Sequence, residues 1–68
     1  MDNNLSLRLT EVRKKNNLSQ EALGKEIGVS HQTVSKWERG EKSPDAEQLI
    51  AISKLYGISL DELVGGEE

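Results

Sequence analysis

His31, Gln32, Thr33, Ser35, Lys36 and Arg39 crowd one nine-residue stretch of this chain. A glutamine amide presents a donor beside an acceptor and pairs bidentately with adenine. A lysine ammonium donates to the acceptors of guanine, and a threonine methyl packs on the methyl of thymine. These side chains share a face if the stretch is helical. Stepping about 100° per residue, with Val34 and Trp37 turned toward a core, the outward face centres on Gln32 and Arg39. Ser35 and Lys36 lie within about 50° of that centre, and His31 and Thr33 flank it. The face holds no carboxylate, because Glu38 turns toward the protein, although the chain carries twelve acids. An acid-free polar surface is what contact with base edges and phosphates requires. As a general base His31 would need a positioned partner, and the chain has no second histidine and no cysteine. On residue type alone, His31, Lys36 and Arg39 also read as ordinary solvated polar groups, while the helical phase of Trp37 assigns it to the core.

Five helical segments must position this face. Leu5, Leu9 and Val12 recur at i, i+4, i+7 and predict a helix from about Asn4 to Asn16. Leu7 lies off that stripe. Ser19 caps a second helix running to Ile27, with Ala22, Leu23 and Ile27 inward and Gly28 as its stop. Ser30 caps the third, which runs to Arg39 and stops at Gly40. Between the two lies Gly28-Val29-Ser30, a turn of helix-turn-helix length, with Ala22 as the small residue that permits close approach. Ser43, Pro44 and Asp45 read as cap, first helical position and first-turn acid of a fourth helix ending at Tyr56 before Gly57. Its expected buried stripe is Leu49, Ile52 and Leu55. Ser59 and Glu62 form a capping box for a short fifth helix, with Leu60 and Leu63 inward. No segment alternates with period two, so no strand is predicted. The expectation is an all-α domain over residues 1–64, four helices and a short fifth, followed by a flexible acidic tail over 65–68.

Sixty-eight residues allow one domain and leave no room for a deep cleft. Without cysteine there is neither a disulfide nor a thiolate metal site. No cluster calls for a metal or cofactor, and no nucleophile–base pair or phosphate loop is present, so the chain reads as a non-enzyme. No apolar run approaches the length of a membrane span, and the start, Met1-Asp2-Asn3-Asn4, lacks the marks of a signal peptide; a cytoplasmic location is the expectation. The net charge of −3 divides unevenly: residues 1–60 hold all nine cations against eight acids, and Asp61, Glu62, Glu67 and Glu68 follow. A global basic footprint is absent, so any affinity for nucleic acid rests on local placement.

Leu18-Ser19-Gln20-Glu21-Ala22-Leu23, Ile27-Gly28-Val29-Ser30, Thr33-Val34-Ser35-Lys36-Trp37-Glu38-Arg39-Gly40 and Pro44 together resemble the Cro/repressor type of helix-turn-helix, the XRE or lambda-repressor-like family. The similarity covers about Leu5 to Val64. Gly24 departs from it, since that position is usually alanine, at a helix-propensity cost of about 0.5–1 kcal/mol. The resemblance implies that His31, Gln32, Thr33 and Lys36 approach base edges. It implies that Gln20 meets a phosphate at a helix N-terminus, and that Ser35, Arg39, Gly40, Lys42 and Ser43 meet the DNA backbone. Arg13 and Glu38 match an internal ion pair of the family.

The implied function is sequence-specific binding of double-stranded DNA as a transcriptional regulator, most simply a repressor that sits as a homodimer on a two-fold operator. The region of Tyr56, Ile58 and Leu60 is a dimer-surface expectation from the resemblance, although core packing explains two apolar residues there equally well. The competing expectation is a protein-interaction module, or an antitoxin-type regulator that binds a partner protein. A chain ending in Gly-Gly-Glu-Glu fits both a small complete regulator and the DNA-binding end of a longer protein with a sensor or partner part.

Overall fold

A computed structural model describes residues 4–64; the tail expected over 65–68 lies outside the described residues. Among those described, every regular element is an α-helix. They are α1 (Asn4–Lys15), α2 (Gln20–Ile27), α3 (His31–Glu38), α4 (Ala46–Tyr56) and α5 (Leu60–Leu63).

Side chains within a few residues set most of the helix starts. The Oγ atoms of Ser19, Ser30 and Ser59 accept from the backbone N–H groups of Ala22, Thr33 and Glu62, at 3.0, 3.2 and 3.0 Å. Each satisfies a donor that the first turn leaves unpaired. Glu62 returns the bond to the Ser59 N–H at 3.1 Å, completing the box that its spacing predicts. The fourth helix differs from expectation. Its cap is Asp45, not Ser43: Asp45 Oδ1 accepts from the Gln48 N–H and Gln48 Oε1 from the Asp45 N–H, both at 2.9 Å. This reciprocal pair satisfies two donors, which a serine two residues earlier could not do. Pro44 is buried just before the helix rather than within it.

Three helices end alike. At α3, Gly40 N–H donates to Trp37 O at 3.1 Å and Glu41 N–H to Lys36 O at 2.9 Å, around Gly40 at φ +78°. This is the Schellman arrangement, in which one left-handed residue lets two N–H groups fold back onto the last turn. The same pairing closes α1 through Asn17, at φ 61°, and α4 through Gly57.

Leu9, Leu23, Val34, Trp37, Ile52 and Leu63 form the core, with Leu5, Ile27, Val29, Leu49, Tyr56 and Ile58 packed against it. Trp37 is 2% exposed and Val34 fully enclosed, so the inner face of α3 is where its phase put it. Leu55 and Leu60 do not point inward as expected; they are 38% and 42% exposed. A run of i, i+3, i+6 slips by about 60° at each step. The buried face of α4 is therefore Leu49, Ile52, Ser53 and Tyr56, which holds its phase. The four-residue α5 turns Leu63 alone into the core. It is tied to α1 by Arg8, whose Nε and Nη2 both donate to Glu62 O, at 3.1 and 2.7 Å. No helix among the described residues is long and apolar enough to cross a membrane.

A close approach of backbone in the turn between α2 and α3 falls at Gly24. A Cβ on Gly24 would lie 2.4 Å from the carbonyl oxygen of Val29, a contact with backbone that no rotamer relieves. The glycine that weakens α2 by propensity is thus the residue that seats the turn.

The two candidate caps of α4 separate experimentally. Asp45→Ala is expected to cost about 0.5–2 kcal/mol in urea denaturation followed by circular dichroism, and Ser43→Ala to leave the midpoint unchanged.

Candidate nucleic-acid interface

The outer face of α3 is fixed from behind by a polar junction of three helices. Arg13 on α1 donates through Nε to Glu38 Oε2 at 2.7 Å and through Nη2 to Oε1 at 3.1 Å. Its Nη1 donates to Leu18 O at 2.7 Å, in the connection between α1 and α2. Gln20, the first residue of α2, donates from Nε2 to Glu38 Oε1 at 3.1 Å. The Arg13 and Glu38 side chains are 12% and 7% exposed. Burial alone pushes the Glu38 carboxyl up. Hydrogen bonds from Arg13 and Gln20, with the Arg13 charge, outweigh it and hold the carboxyl below the usual glutamate range. Gln20 therefore has a partner inside the protein, and that bond uses one of its two amide hydrogens.

In front of this junction, Gln20, His31, Gln32, Ser35, Lys36 and Arg39 line one shallow depression. His31, Gln32 and Lys36 are exposed, and the His31 and Gln32 side chains make no hydrogen bond or ion pair with another described residue. Amide, imidazole and ammonium groups thus face solvent side by side. Thr33 is half-buried, and its hydroxyl lies 3.1 Å from Ser30 Oγ, which ties it to the helix cap. Gly40, Lys42 and Ser43 are exposed in the connection that follows α3. The first turn of α3 contains no acid, so the positive end of its backbone dipole is not neutralised locally.

One carboxylate does reach this surface. Arg39 donates through Nε to Glu41 Oε2 at 2.8 Å and through Nη2 to Oε1 at 3.2 Å, and through Nη1 to Ser35 Oγ. The Arg39 hydrogen bonds, then its charge and that of Lys36, hold the Glu41 carboxyl below the usual range. A helical wheel drawn over α3 stops at Gly40 and cannot find Glu41. The signal that could have found it is the glycine itself, since a Schellman closure folds the next residue back over the last turn. Gly28, at φ +81°, ends α2 and completes the helix, tight turn and second helix.

A family description, helix-turn-helix, matches residues 9–63. The chain is 45% identical over 60 residues to repressor protein C2 of Salmonella phage P22, covering 88% of this chain and 28% of that protein. It is 43% identical over 61 residues to the HTH-type transcriptional activator BcrR of Enterococcus faecalis, covering 90% and 30%. The chain thus spans less than a third of the length of these curated relatives. Among solved structures, the P22 c2 repressor in complex with a synthetic operator superposes with a TM-score of 0.85 at 43% identity, covering 93% of this chain and 96% of that one. The restriction-modification controller protein C.AhdI of Aeromonas hydrophila gives 0.80 at 29% identity, covering 87% and 86%.

The lowered Glu38 pKa fixes the sign of a pH effect. The carboxylate contributes stability that is present above its unfolded pKa, about 4.3, and is lost as pH falls through the lower folded value. Urea midpoints should therefore decline on acidification below about pH 5, and Glu38→Gln should flatten that decline. At neutral pH, Arg13→Met strands a buried carboxylate and is expected to cost about 3 kcal/mol, read from the same denaturation curves.

Proposed function

From the premise that this chain belongs to the helix-turn-helix family of the Cro/repressor type, we propose that it reads a specific sequence of double-stranded DNA and regulates transcription, as a repressor. The observation that carries the reading is the outer face of α3, where His31, Gln32 and Lys36 face solvent beside Arg39 while Val34, Trp37 and Glu38 anchor the helix from within. The similarity to the P22 C2 repressor and its operator complex supports it.

In this reading α3 enters the major groove. Gln32 pairs with adenine and Lys36 donates to guanine. His31 and Thr33 contact base edges at the groove-facing start of the helix. Gln20, Ser35, Arg39, Gly40, Lys42 and Ser43 meet phosphates and fix the register, without carrying sequence information themselves. The net charge of −3 adds nothing favourable at long range, so affinity rests on this local set of contacts.

One module reads few base pairs, and a two-fold dimer with half-sites about 10 bp apart, or a multiple of that, would supply the rest. Leu60 and Val64, 42% and 44% exposed, support a contact near α5. Tyr56 and Ile58 contribute less to it, because both pack against the core. Burial also pushes the Tyr56 phenol up to about 12.

Selection of bound duplexes from a random pool tests the proposal. An enriched inverted repeat is expected, and recovery of no common sequence by folded protein would sink it. On the enriched site, Gln32→Ala and Lys36→Ala should each cost about 1–3 kcal/mol of binding and relax preference at one position only.

A further inference from the structure

We propose that Glu41 competes with DNA phosphate for the Arg39 guanidinium and thereby holds down sequence-independent binding, an inference that rests on the DNA-binding reading above. Arginine grips carboxylate and phosphate with the same planar pair of donors. In this protein that pair is already occupied: Nε and Nη2 of Arg39 both donate to Glu41, at 2.8 and 3.2 Å, and Nη1 donates to Ser35. Every donor nitrogen of the guanidinium is engaged.

The position of Glu41 follows from backbone, not from the ion pair alone. Its own N–H donates to Lys36 O at 2.9 Å, and Gly40, at φ +78°, turns the chain back to allow it. The carboxylate is thus carried to the end of α3 by the closure of the helix. It stands beside the depression that Gln20, His31, Gln32, Ser35, Lys36 and Arg39 line, on a face whose helical residues include no other acid. For Arg39 to take a phosphate it must leave Glu41, and Glu41 then lies next to a like charge. The exchange trades one ion pair for another, so Arg39 releases little of the counterion atmosphere that drives non-specific binding.

The test compares wild type, Glu41→Gln, Arg39→Gln, the double variant and Asp61→Asn by fluorescence anisotropy. The probe is a short mixed-sequence duplex, titrated across a series of KCl concentrations. Arg39 and Glu41 side chains are 55% and 53% exposed, so the substitutions should leave the fold intact, which a thermal melt verifies. Glu41→Gln is expected to tighten binding about two- to fivefold near physiological salt and to steepen the log–log salt slope by about 0.9. In the Arg39→Gln background the same change should have no such effect. Asp61→Asn removes an exposed charge on α5 and should leave the slope as it is.

Unchanged affinity and slope in Glu41→Gln would overturn the inference. So would weaker binding, which would mean that Glu41 aims Arg39 at the phosphate. An equal gain in the Arg39→Gln background would reduce Glu41 to simple repulsion and overturn it as well. Absence of any DNA binding by wild type at low salt would instead defeat the DNA-binding reading, and this inference with it.

Discussion

Arg13 makes three attachments with one side chain, and the placement of α3 depends on them. Two of its donors meet Glu38 near the end of α3, and the third meets the Leu18 carbonyl just before α2. Gln20 then joins α2 to the same carboxylate. Taking these charges out of water is costly, and a well-packed apolar replacement of both often gives an equally stable protein. What an apolar contact lacks is direction. A guanidinium fork meets a carboxylate in one plane, so the junction fixes the rotation of α3 about its axis as well as its distance from α1. Val34 and Trp37 drive α3 onto the core, and the fork selects which side chains are left outside.

Much of this was legible because helix ends are written locally. Ser19, Ser30 and Ser59 act on donors three residues away, and Gly28, Gly40 and Gly57 act on the turn just completed. A one-dimensional sequence holds both partners of such bonds. At the start of α4 the serine misled: Ser43 has the right chemistry, but only Asp45 has Gln48 at the reciprocal spacing. Leu60 was misplaced because the single turn of α5 buries Leu63 alone, and Leu55 for a geometric reason. A leucine three residues after a buried one shares its face only approximately, and the slip accumulates. Residues that act across the fold were less accessible. The value of Gly24 lies in the carbonyl of Val29, which the turn brings over it. Likewise the engagement of Gln20 becomes visible only when α2 and α3 stand together. The outer face of α3 was readable in type and phase, apart from the carboxylate that arrives from beyond its last turn.

The repeated closures at Asn17, Gly40 and Gly57 also explain how a chain of this length leaves α3 accessible. Each closure returns the backbone within two residues of the helix end, and His31, Gln32 and Lys36 stay exposed. The long-range polar links hold the helices from behind, Arg13 to Glu38 and Arg8 to the Glu62 carbonyl. Apart from Gln20, which lines the depression and also bonds to Glu38, support and exposed surface are therefore on opposite sides of the same element.

That separation bears on how such a protein changes over generations. His31 and Gln32 carry no structural duty among the described residues: neither side chain bonds to another of them, and the helix that presents them is capped by Ser30 and anchored through Val34, Trp37 and Glu38. A codon change at either position alters the exposed surface of α3 without asking the fold to compensate. A lineage can vary these two residues one at a time without breaking a bond that holds α3 in place.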